Sequence, residues 1–247
     1  YNNIDEVING NAQYGVADSI LILYRLKQQP VVIVSPIFQH SPSVFISLKK
    51  SNISSVYELN NKDILFYPND TDGFSLLAMI KKFDLDVNLV RERYKDDYMR
   101  LINNEVDVMP AYIANEPFLF KEKGYDVNII NPTNYGFDMY GDMLFTNEDE
   151  AKNNPIRVEK FKEATLKGWK YALENKEEII QLINEKYTQE KSIEHLRYEA
   201  NAIDSLINKD VTPLGYLDQG RIRYISEMYE YYGLTESKID LNDFLFD

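Results

Sequence analysis

Polar and aromatic residues collect at the ends of apolar runs in this chain, and such ends are where small-molecule chemistry would be done. Asp18-Ser19 follows Tyr14 to Ala17, and Gln39-His40-Ser41-Pro42 separates Val31–Val34 from Val44–Leu48. Asn69-Asp70-Thr71-Asp72-Gly73 follows Ile64–Tyr67, and Tyr112-Ile113-Ala114-Asn115-Glu116-Pro117 follows Val106–Met109. In α/β sheets, ligands settle at the carboxyl ends of strands, where helix starts present free N–H groups. Each segment also has a plain structural account. Asp18-Ser19 and Asn69–Gly73 are rich in helix-capping types, and Gln39–Pro42 reads equally well as a connecting turn. Glu116 at a helix start is a favourable dipole partner. It is also a carboxylate able to accept paired hydrogen bonds from an amino-substituted heterocycle. A fifth segment, Tyr135 to Asp142, holds two tyrosines whose flat faces suit stacking on a planar ring. The chain has 19 tyrosines, so most of them must be packing or surface residues.

The residues for catalysis are sparse. There are two histidines, His40 in a loop and His195 in a charged helical stretch, where a solvated face is the ordinary reading. No paired-His spacing, nucleophile elbow, phosphate-binding Gly-Lys-Ser/Thr loop or dinucleotide glycine fingerprint occurs. With no cysteine, thiolate ligands, disulfides and Cys nucleophiles are excluded. Asp96-Asp97 and Glu177-Glu178 read as solvated helix faces. On these residues a metal site is not expected, and an enzyme is the minority reading.

The elements that must position these residues follow from patterning. The 247 residues, 44% hydrophobic and 27% charged, suit one large domain or two linked lobes. Forty acidic residues against 27 basic ones leave a net charge of -13, which disfavours nucleic acid. No apolar run reaches the roughly 20 residues needed to span a bilayer. The first residue is Tyr1 rather than Met, so targeting is not legible.

Residues 1–140 alternate between strand and helix. Strands are predicted at 14–17, 31–34, 44–48, 64–67, 87–90, 106–109 and 127–130. Helices are predicted at 20–27, 74–83, 96–103 and 116–123, the last ending at Gly124, with a short opening helix at 3–8 and one turn at 54–59. Strands separated by helices argue for a parallel sheet. From 148 to 234 the pattern is almost wholly helical. Pro155 sits near a helix start, Val158, Phe161, Thr165, Trp169 and Ala172 form one stripe, and a last helix runs from 219 to 232.

Several stretches resemble the thiamine-precursor branch of ABC-transporter solute-binding proteins. They are Tyr14–Ser19, Gln39–Pro42, Asn115–Phe118, Lys123–Ile130, Tyr135-Gly136, Tyr140–Asp142, Phe161–Asn175 and His195–Ala200. Tyr140–Thr146 and Asp240–Phe246 resemble the version that serves as an extracytoplasmic sensor module ahead of a kinase or cyclase. The resemblance implies a two-lobe α/β fold of the type II periplasmic binding class with a helical C-terminal return, closing on a small ligand at a hinge, with no cofactor, no metal and no turnover. Lobe I is expected to comprise 1–46 and 141–247, and lobe II 47–140. Family members begin with a strand and a helix ahead of the segment matching Tyr1-Asn2-Asn3, and those elements are missing here. The ligand expected is a thiamine pyrimidine precursor or similar heterocycle, held by Ser19, Gln39, Ser41, Asn69, Thr71, Tyr112, Asn115, Glu116, Tyr135 and Asp138. The implied location is periplasmic or extracytoplasmic, with or without a membrane tether outside this sequence. The implied partners are an ABC permease or downstream sensor, kinase or cyclase domains, and no nucleic acid. A freestanding importer subunit is the alternative to the sensor, and a pyrimidine-synthesising enzyme is the second alternative.

Overall fold

The computed structural model describes residues 2–66, 71–91, 97–188, 190–208, 210–236 and 238–246. In chain order its elements are α1 (Asn3–Ile8), β1 (Gly15–Ala17), α2 (Ile20–Leu26), β2 (Val31–Pro36), β3 (Ser43–Leu48) and β4 (Asp63–Leu65). There follow α3 (Thr71–Phe83), β5 (Asn88–Val90), α4 (Asp97–Ile102), β6 (Met109–Tyr112), α5 (Glu116–Glu122), β7 (Val127–Ile130) and β8 (Met143–Asn147). The helical return holds α6 (Glu148–Asn153), α7 (Pro155–Glu174), α8 (Lys176–Lys186), α9 (Ile193–Ile207) and α10 (Gln219–Tyr231). None of the described helices is long and apolar enough to cross a membrane.

The chain divides into two compact units. One comprises Tyr1–Ser41, Met139–Tyr187 and Ile203–Asp247, and the other Pro42–Asp138 with Thr188–Ala202. Residues 188–202 were expected in the first lobe. They group with the second unit because the start of α9 packs on α5: Phe118 meets both the His195 and Tyr198 rings.

In the first unit the sheet order is β1-β8-β2, and β8 runs antiparallel to both neighbours. The run Val31–Val34 is buried throughout, as a β-branched strand covered on both faces should be. Near the chain end, Leu245 forms a parallel bridge with Ile33, which donates to the Phe244 carbonyl at 2.8 Å.

In the second unit, β3 lies between β6 and β7 and runs antiparallel to each. The parallel pair β4-β5 joins through a parallel bridge from Ile64 to Val108, so the strands follow the order β5, β4, β6, β3, β7. Both sheets are therefore mixed, not purely parallel. The two antiparallel members, β3 and β8, each follow a strand that belongs to the other sheet, so no crossover within one sheet sets their direction. The strand expected at 106–109 lies instead at 109–112, because pairing of Ser43 with Tyr112 and Ile46 with Met109 sets its extent.

Pro155 opens α7 as expected, and Asn147 and Asp218 cap α6 and α10. The α7 stripe is less buried than its spacing predicts. Val158 is fully buried, whereas Phe161 is 42% exposed and stacks on Tyr14 with ring centres 4.1 Å apart. Trp169 meets the Phe38 ring edge-on at 5.9 Å.

Candidate functional site

Because β6 and β7 are both antiparallel to β3, their carboxyl ends come to the same end of the second sheet, beside Pro42 and Ser43. There β6 passes into α5 through a tight turn. The Tyr112 N–H donates to Glu116 Oε2 at 2.6 Å, and the Asn115 side-chain amide donates to Glu116 Oε1 at 3.0 Å. The Asn115 N–H donates back to the Tyr112 carbonyl at 2.9 Å. Asn115 occupies the cap position of α5, yet its side chain makes no cap bond, being engaged with Glu116. Each carboxylate oxygen has two acceptor lobes, so a carboxylate held this way retains capacity for further donors. Glu116 is half-buried and Tyr112 is 38% exposed, which leaves an aromatic ring accessible next to an oriented anion.

The same turn is braced from behind. Ile113 donates to the Pro42 carbonyl at 2.8 Å, and its own carbonyl accepts the Tyr198 hydroxyl at 2.9 Å. Burial raises the Tyr198 phenol above its usual pKa. His195, expected on a solvated face, is instead 3% exposed. Its ring lies 4.9 Å from that of Phe118, and its Nδ1 is 3.7 Å from the Glu122 carboxylate, because this face of α9 is turned toward α5. Local sequence does not indicate that α5 packs against the His195 side of α9.

The first-unit candidates hold their own backbone. The Ser19 hydroxyl is buried and donates to the Tyr140 carbonyl at 2.8 Å, while the Ser19 carbonyl accepts the Tyr229 hydroxyl at 3.0 Å. Asp18, rather than Ser19, caps α2, accepting from the Ile20 N–H at 2.9 Å. Gln39 donates through Nε2 to the Tyr216 carbonyl at 2.9 Å. Around it, Ile37 and Phe38 donate to the Asp142 carbonyl at 2.8 and 3.1 Å. Tyr140 is fully buried, with the Arg221 guanidinium 4.2 Å from its ring centre and the Asp218 N–H 3.0 Å from its hydroxyl. Burial raises that phenol's pKa, with the Asp218 hydrogen bond and the Arg221 charge opposing. Of this set, Asp18, Ser19, Gln39 and the Tyr140-Gly141-Asp142 stretch carried a sequence signal; Arg221, Asp218 and Tyr229 carried none.

The remaining candidates are distributed more widely. Tyr135 receives the Val56 N–H at 3.2 Å, packs edge-on against Phe83 and accepts Lys82 Nζ at its carbonyl at 2.6 Å. Ser41 is buried, Asp138 is half-buried and Thr71 begins α3. Asn69 lies outside the described residues, as does Asp96. The structure thus brings Tyr112, Asn115 and Glu116 into one hydrogen-bonded turn, while Ser19, Gln39 and Tyr135 are engaged elsewhere. Among the described residues no group of three or more His, Cys, Asp or Glu side chains is arranged to hold a metal ion.

Comparison with known proteins agrees with this architecture. The alkanesulfonate-binding protein SsuA from Xanthomonas axonopodis pv. citri superposes with a TM-score of 0.75 at 11% identity, covering 98% of this chain and 83% of that one. The periplasmic aliphatic sulphonate-binding protein SsuA from Escherichia coli gives 0.72 at 13% identity, covering 99% and 78%. These likenesses carry the fold, a type II periplasmic binding protein. The formylaminopyrimidine-binding protein of Halalkalibacterium halodurans is 28% identical over 167 residues, 66% of this chain and 51% of that protein. The riboflavin-binding protein RibY of Chloroflexus aurantiacus is 26% identical over 166 residues, 66% and 47% respectively. The match therefore spans about half the length of these curated relatives. A family model described as NMT1/THI5 like matches residues 1–179, well over half of the sequence, and the chain belongs to that family.

Proposed function

We propose that this chain captures a small planar nitrogen heterocycle, an aminopyrimidine in the first instance, without turning it over. The observation that carries the reading is the Tyr112–Glu116 turn. It presents a carboxylate, oriented by the Tyr112 N–H and the Asn115 amide, beside an accessible aromatic face. The exocyclic amine of an aminopyrimidine and, once that nitrogen is protonated, the adjacent ring N–H are the donors such a carboxylate accepts as a pair, and Tyr112 supplies the stacking surface. The relatives named for a formylaminopyrimidine and for riboflavin support a flat nitrogen heterocycle as the ligand class. On the same reading the chain works outside the cytoplasm, as the solute-binding part of an importer that hands its ligand to a membrane permease. Use of this capture step as the input of a signalling protein rests only on the sequence resemblance at Tyr140–Thr146 and Asp240–Phe246.

Titration calorimetry with a formylaminopyrimidine, on the wild type and on Glu116→Gln, tests the assignment. The expected result is at least a tenfold weakening in the variant, since a hydrogen bond to a charged group contributes about 1.5–3 kcal/mol and glutamine replaces one charged acceptor oxygen by a donor. Equal affinities would remove Glu116 from the site. Mass spectrometry after long incubation with the pyrimidine tests turnover, and any product would overturn the binding-only reading.

A further inference from the structure

We infer that Tyr198 is a positioning residue for the Glu116 carboxylate, acting through the peptide of Ile113; the ligand arm of this inference rests on the reading of Glu116 given above. Ile113 lies within the turn that carries both donors to Glu116. Its N–H is fixed by the Pro42 carbonyl at 2.8 Å and its carbonyl by the Tyr198 hydroxyl at 2.9 Å. With both polar groups of this residue held, the Tyr112 N–H and the Asn115 amide have little freedom to swing, and the carboxylate they grip is held with them. Tyr198 is itself placed by Phe118, two residues beyond Glu116, whose ring lies 5.2 Å away at 35°.

A second contact holds the far end of α5 to the same helix start. Ser192, just before α9, donates to Glu122 Oε1 at 2.8 Å. His195 Nε2, buried between these contacts, has no hydrogen-bond partner among the described residues. Leaving a buried polar nitrogen unpaired is unfavourable.

Tyr198→Phe removes the hydroxyl and keeps the ring. Amide hydrogen exchange on the ligand-free protein is the first readout: the Tyr112 N–H is expected to exchange about tenfold faster, with amides of β3 and β7 unchanged. The second is a calorimetric double-mutant cycle with Glu116→Gln, using the formylaminopyrimidine as probe. Tyr198→Phe is expected to weaken binding about tenfold in the wild-type background and less than twofold in Glu116→Gln. Unchanged exchange at Tyr112 overturns the inference whatever the ligand proves to be. Equal losses in both backgrounds overturn it too, because a merely structural role would act without Glu116. If the wild type binds no aminopyrimidine, the ligand reading falls by itself, and the exchange arm still decides whether Tyr198 positions the turn.

Discussion

Arg157 approaches the buried Glu150 carboxylate with two nitrogens, Nε 2.6 Å from Oε1 and Nη2 2.5 Å from Oε2. The Tyr14 hydroxyl and the Asn154 amide complete the set of donors to it, each at 3.0 Å. One carboxylate thus ties α6 and the start of α7 to the segment before β1. Its hydrogen bonds to Arg157 hold the Glu150 carboxyl below the usual carboxylate range, against the opposing effect of burial. Removing the arginine leaves the Glu150 carboxylate poorly compensated, and Arg157→Ala is expected to destabilise the protein at neutral pH, by less than loss of a fully buried pair would because the arginine is exposed. A depressed acid contributes stability above its unfolded pKa, and that contribution fades as pH falls through the lower folded value. Urea unfolding at pH 7 and below pH 4 should therefore show a larger acid loss in the wild type than in Arg157→Ala. Parallel losses would reject this account.

Two glycines should respond to alanine with opposite signs. Gly215 has φ +83°, and a Cβ there would stand 2.7 Å from Ser35 Oγ and 2.9 Å from both δ-carbons of Leu166. Gly215→Ala combines left-handed strain with overpacking and is expected to lose about 2–4 kcal/mol. Gly168 lies within α7 with no heavy atom within 4 Å of a would-be Cβ. Gly168→Ala is expected to gain about 0.5–1 kcal/mol through helix propensity. Thermal melts of the two variants check both signs.

Tyr229 is 1% exposed and donates its hydroxyl to the Ser19 carbonyl at 3.0 Å. Burial, reinforced by the nearby Asp18 charge, pushes its pKa well above 10.0. Ionisation is then available to the unfolded chain first, so this group's contribution is complete below about pH 10 and declines above it. Tyr229→Phe should lower unfolding free energy at pH 7 by about 1 kcal/mol and flatten the alkaline loss. A variant curve parallel to wild type above pH 10 would show that another group controls it.

Tyr112 tests the site from its aromatic side. Its backbone, not its ring, orients Glu116, and the residue is 38% exposed. Tyr112→Ala is expected to weaken binding of an aminopyrimidine by about three- to tenfold, the value of one aromatic stacking partner. Its melting temperature should move little. Unaltered affinity by calorimetry would place the ligand away from this ring.

Much of the local structure is legible in residue order. Pro155 opens α7, Gly124 with φ +82° follows α5, and the strands Val31–Pro36 and Val127–Ile130 sit where their apolar runs place them. These depend on nearest neighbours, on φ restrictions and on the period of burial, all of which the linear sequence carries. The Asn115-Glu116-Pro117 turn is likewise visible as a helix start after a strand.

Partnership across distance is decided only by the folded chain. Nothing near Tyr198 indicates that its hydroxyl reaches Ile113, 85 residues earlier, or that His195 turns inward onto Phe118. Ser19 looks like a cap, yet its hydroxyl goes to Tyr140. The antiparallel course of β3 and β8 is equally hidden. The physical reason is common to all of them: hydrogen-bond satisfaction and packing are settled by whichever group arrives in space, and local patterning encodes a preference for burial without naming the partner.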